Sequence, residues 1–142
     1  MTAWRCGAAA SLAALAAAAV AQSPAPASAP AAADCPPAAP GAAVIEQPGL
    51  RATWRAEPAL AVSRPFALQL TLCPARAELR RVDATMPEHR HGMNYRPRLQ
   101  PAGPGAWTAD GLVWHMPGRW ELLLVVVLDG TERRLVQSVV LR

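Results

Sequence analysis

From residue 50 onward the hydrophobic positions recur at every second residue and are interrupted by turn-forming residues about every eight to twelve positions, the pattern of short strands in a sandwich. The alternation predicts strands over 50–57, 66–73, 78–85, 91–99, 105–109, 112–116, 119–128 and 132–141. In "FALQLTLC" the side chains of Phe66, Leu68, Leu70 and Leu72 fall on one face, and Gln69, Thr71 and Cys73 on the other. "LLLVVVL", residues 122–128, is apolar at both parities and suits a strand covered on both faces. Pro58, Pro65, Pro74, Pro87, Pro101, Pro104 and Pro117 fall between or at the ends of these runs, where a missing backbone donor costs least. Asp129-Gly130 between the last two runs is a tight-hairpin signal. No segment has a helical period. The expectation is an all-β, immunoglobulin-like sandwich of about seven strands, without the intersheet disulfide of antibody domains and with its tryptophans, Trp54, Trp107, Trp114 and Trp120, filling the centre.

The first part of the 142-residue chain has a different composition. Arg5 precedes the apolar run "AAASLAALAAAAVA", and Ala19, Val20 and Ala21 before Gln22 give the small-residue pattern of a signal-peptidase site, so residues 1–21 read as a cleaved signal peptide. The run is shorter than the roughly 20 residues that span a bilayer, and no later run reaches that length. Residues 22–43, almost wholly alanine and proline, have too little large apolar area to fold and read as a semi-rigid linker. Residues 44–142 then form the folded domain. The expected location is the periplasm or the exterior.

Export gives the cysteines a default reading. Cys6 leaves with the signal, so Cys35 and Cys73 remain as a pair in an oxidising compartment; a disulfide would strap the linker across the outer face of the sheet, the alternative being free or metal-bound thiols. The formal charge of +4 falls to +3 without Arg5, and the basic residues, all arginine, are dispersed along the chain. One tyrosine and one phenylalanine offer no stacking array, so no nucleic-acid partner is expected. Ser63 and Ser138, the serines outside the signal and linker, are not in a nucleophile-elbow context; a phosphate loop is lacking, and Asp83, Glu88, Asp110 and Glu121 are scattered. The chain therefore reads as a non-enzyme.

Its chemistry is concentrated in two places. "MPEHRHGM" holds Met86, His89, His91 and Met93, and "VWHMPGRW" holds His115 and Met116, which together are all the histidines and all the methionines except the initiator. If 89–93 is extended, His89, His91 and Met93 project from one face at i, i+2 and i+4, with Met86 in a turn that folds back and His115 and Met116 at the end of another strand. Thioether sulfur selects copper(I), imidazole serves copper in either state and zinc, and the carboxylate clusters that hard ions need are missing. Copper is the favoured ion. A zinc site on His89, His91 and His115 is a weaker alternative that leaves the methionines unexplained, and a blue-copper centre lacks its cysteine. Against all of these stands the plain reading of methionine as core filler and histidine as a locally satisfied polar residue.

The two segments, "DATMPEHRHGMNYRP" and "GAWTADGLVWHMPGRWELLLVV", resemble the YtkA-like and FixH-like group of small exported or membrane-tethered β-sandwich domains. The shared pattern is Met-Pro-x-His-x-His-Gly-Met (Met86, Pro87, His89, His91, Gly92, Met93), an aromatic in a short strand (Trp107), and Met-x-Gly-x-Trp (Met116, Gly118, Trp120) leading into a long apolar strand. The resemblance covers roughly residues 45–142 and leaves His115 outside the pattern. It implies an immunoglobulin-like fold in the cell envelope and a role in copper handling, including delivery to a partner in the assembly of copper-containing respiratory enzymes. A structural or interaction domain without metal is the rival reading.

Overall fold

The computed structural model describes Met1 and residues 35–142; residues 2–34, on which the expected signal peptide and most of the expected linker fall, lie outside the described residues. Nine strands follow one another: β1 Ala43–Gln47, β2 Leu50–Glu57, β3 Pro65–Cys73, β4 Glu78–Met86, β5 His91–Gly92, β6 Arg98–Gly103, β7 Ala106–Val113, β8 Gly118–Leu128 and β9 Thr131–Leu141. They form two antiparallel sheets, ordered β1-β2-β3-β7-β6 and β5-β4-β8-β9. Taking β2 as strand A, this is the A-B-E-D sheet facing a C′-C-F-G sheet of an immunoglobulin-like sandwich, with β1 added at one edge. The all-β expectation holds, with two more strands than anticipated. Among the described residues no helix is long and apolar enough to cross a membrane.

Strand parity builds the core. Phe66, Leu68, Leu70 and Leu72 of β3 face Val82, Ala84 and Met86 of β4 and Leu122, Leu124 and Val126 of β8 across the sandwich, all of them buried. Trp114 and Trp120 are the largest fully buried side chains; their rings stack at 5.3 Å and 7°, and Phe66 meets Trp114 edge-on at 5.4 Å. Trp54 ties the sheets together, its Nε1 donating to Gln137 Oε1 on β9 at 2.7 Å. Trp107 is half-buried.

Two expected elements come out differently. The runs 105–109 and 112–116 merge into the single strand β7, which stops at Val113 and leaves 114–116 outside any strand, because the Asp110-Gly111 pair that looks like a turn is absorbed as a bulge: Phe66 pairs with Leu112 and Leu68 with Ala109, and Gly111 takes φ +84°. Conversely, 91–99 is not one strand. β5 ends at Gly92, residues 93–97 form a loop, and β6 starts at Arg98. The Asp129-Gly130 turn is as expected, with both residues at positive φ (50° and 76°) and Leu128 paired with Thr131. The outer side of β8 is only partly open to solvent: Leu123 and Val127 are half-buried and Val125 is buried.

Cys35 and Cys73 are joined as a disulfide with Cα atoms 5.6 Å apart. Cys73 shares the outward parity of Gln69 and Thr71, and Arg51, its partner in β2, donates to the carbonyl of Pro36. The segment from Cys35 is thus strapped onto the outer face of the first sheet, at the end of β3 opposite Pro65.

Candidate functional site

The other end of the sandwich carries the histidines and methionines. β4 delivers Met86 there; the chain makes a 3-10 turn over Pro87–His89, reverses through Arg90 in the left-handed region (φ 54°), and returns as β5, where His91 pairs with Met86 and Gly92 with Thr85. A salt bridge from Arg119 Nε to Glu88 Oε1 at 3.1 Å holds the turn against the start of β8, and the hydrogen bond to Glu88 raises the already high pKa of the guanidinium. Met93 N donates to Ala84 O at 3.0 Å. Beyond it, the Tyr95 hydroxyl donates to Val113 O at 3.0 Å and accepts from Val113 N at 2.6 Å, so the loop is fastened to the last residue of β7.

From that fastening point the chain runs through Trp114, His115 and Met116 into β8. Ser63 N donates to Trp114 O at 2.8 Å and Ser63 Oγ to His115 O at 3.3 Å. Trp120 Nε1 donates to Met116 O at 3.0 Å, and the Trp120 ring lies 5.8 Å from the His115 imidazole, edge to face. The backbone carrying His115 is therefore braced by two neighbours remote in sequence, Tyr95 and Ser63, and by the nearby Trp120.

These two braced segments wall a solvent-open depression of about 420 Å³, lined by Arg90, His91, Gly92, Met93, Asn94, Tyr95 and His115. It unites one thioether and two imidazoles from both ends of the sequence motif. His91 and His115 are exposed, and Met93 is half-buried against the core.

The remaining expected ligands lie elsewhere. Met86 is fully buried in the core, and its Cε stands only 2.8 Å from where a Cβ on Gly118 would be. The chain does turn after Met86, yet its side chain does not join the histidines, because Val82, Ala84 and Met86 share the inward face of β4. His89 does not alternate with His91, since the intervening 3-10 turn and the left-handed Arg90 break the extended run; it is exposed, outside the depression, with its ring 6.2 Å from that of His91 and nearly parallel. Met116 is half-buried against the core and does not line the depression. Among the described residues no three His, Cys, Asp or Glu side chains gather into a group able to hold a metal, so the three-histidine arrangement considered for zinc is not assembled. The two cysteines are engaged with each other at the opposite end of β3.

Sequence reasoning passed over Tyr95 and Arg90. The sole tyrosine standing two residues after Met93 was the available signal for the first; nothing in composition pointed to the second. Tyr95→Phe removes both hydrogen bonds to Val113 and is expected to cost about 1 kcal/mol and to release the Met93 loop from His115. Thermal melting and faster amide exchange at residues 93–97 and 113 check this outcome; an unchanged melt with unchanged exchange would refute the fastening role. Neither a protein-family model, a curated protein nor a solved structure matches the chain.

Proposed function

We propose that this protein is an exported copper-binding β-sandwich that holds the ion for delivery to an envelope partner, with His91, Met93 and His115 as the ligands. The observation that supports it is the shared wall of the depression, to which segments more than twenty positions apart each contribute donors. The donor set fits copper better than other ions. Two imidazoles suit copper(II), a thioether beside them suits copper(I), and hard cations find no carboxylate on that wall. A mixed set is appropriate to a carrier, because neither oxidation state is locked in. His89, near His91 but outside the depression, is a site of first capture rather than a ligand of the final complex.

The test is equilibrium dialysis with copper(II) and, under reductant, copper(I). Wild type is expected to take up about one ion per chain, as a single three-donor depression implies. The double variant His91→Ala/His115→Ala should lose copper(II) uptake, His89→Ala should keep most of it, and Met93→Leu should weaken copper(I) more than copper(II). Full affinity in the double variant would refute the assignment.

A metal-free interaction domain is favoured by one observation, the burial of Met86 and the partial burial of Met93 and Met116 against the core, which is where methionine serves as filler. A protein that takes up no copper and captures one envelope partner equally well with and without the ion would establish that reading instead.

A further inference from the structure

The depression has an unbalanced charge. Imidazole and thioether ligate metals as neutral groups, and no carboxylate lines the wall. Its one permanently charged side chain is that of Arg90, which has no carboxylate partner among the described residues. The nearby acids are occupied: Glu88 by Arg119, and Asp83 by Arg81 in the neighbouring depression on the other side of Tyr95. A copper ion held by His91, Met93 and His115 would keep its whole positive charge and stand beside a second cation. Like charges at such a site repel, and three donors leave a four-coordinate copper(II) one ligand short.

Both deficits are removed by one thing, an anion. We propose that the site takes copper together with a small monoanion of the halide or carboxylate class, which completes the coordination and lies against the Arg90 guanidinium. The proposal rests on the copper reading above. Space allows it, since about 420 Å³ is many times the ~30 Å³ that a water occupies in the liquid. Residues 90–95 all line the depression, and the left-handed backbone at Arg90, uncommon for a residue with a side chain, is the step that joins the 3-10 turn to this wall. Arg90 would be a positioning residue for the anion, with no contact to the metal required.

The experiment titrates azide into the purified full chain loaded with copper(II), since azide bound to copper(II) gives a charge-transfer absorption. Wild type is expected to show a saturable band that chloride and acetate displace. Arg90→Gln should keep its copper while binding azide about threefold more weakly or worse, and Arg90→Lys should stay within about twofold of wild type, the scale set by a solvent-exposed ion pair. Copper-loaded wild type with no azide band, a band that neither chloride nor acetate displaces, or equal azide affinity in Arg90→Gln would each overturn the anion while leaving the copper reading intact. A wild type that takes up no copper(II) would remove both.

Discussion

Trp120→Ala is expected to destabilise the domain by about 3–5 kcal/mol, the range for deleting a large aromatic from a close-packed core, and to abolish the proposed copper uptake with it. The indole is fully buried, stacks on Trp114 at 5.3 Å, seats the His115 ring at 5.8 Å and donates to Met116 O at 3.0 Å. Truncation leaves a cavity between the sheets and unties the corner that carries His115. Urea unfolding checks this, with the midpoint falling while the slope holds if the native fold is retained. Two milder variants separate packing from tethering. Trp120→Phe keeps most of the ring area and loses the hydrogen bond, about 1 kcal/mol. Trp114→Phe sacrifices nothing polar, because Trp114 Nε1 is buried without an acceptor among the described residues, and should be the better tolerated of the two relative to the area removed. A loss below about 1.5 kcal/mol for Trp120→Ala would be too small for any fully buried tryptophan and would show that the corner is not packed as described.

The second large effect belongs to the disulfide. Cys35 and Cys73 are 38 positions apart, and a cross-link closing a loop of that length restricts the unfolded chain by about 4 kcal/mol in the chain-entropy account, with 2–4 kcal/mol the usual measured range. Cys35→Ser/Cys73→Ser is therefore expected to lower the melting temperature by about 10 °C or more. The copper binding proposed for the histidine corner should be unaltered in the folded variant, since the bridge lies at the far end of β3 from Pro65 and its neighbour Val113. A melt unchanged by the double substitution would mean that the two thiols are not joined in solution.

Most of the frame was legible because it depends on parity, which the sequence carries directly. Leu50–Glu57 was bounded correctly, the inward set of β3 was read without error, and Asp129-Gly130 forms the expected hairpin. The failures arise where glycine or arginine bends the rule. Gly111 bulges within a strand, and Ala43–Gln47 is too short and too close to the alanine-rich segment to stand out, although Gln47 pairs with Leu50 across Pro48-Gly49. The ligand set suffered from a misplaced period. Alternation was applied to 89–93, where Arg90 breaks it, while the strand read over 78–85 was stopped one residue short of Met86, which alternation sends inward with Val82 and Ala84. That two segments meet was a guess from topology; that they meet through His91, Met93 and His115 depends on the Tyr95 hydroxyl bonded to Val113 and on Ser63 bonded to His115 O, long-range bonds that spacing cannot reveal.

The strap at Cys73 also decides how this molecule can be handled. The nine-residue strand β3 has Cys73 at one end and Pro65 at the other, roughly 27 Å apart at the usual rise of an extended strand, so cargo fused ahead of Cys35 or a bead coupled there sits at one pole while the histidine corner looks out from the other. Immobilisation through that end leaves the corner accessible to any donor or acceptor supplied from solution.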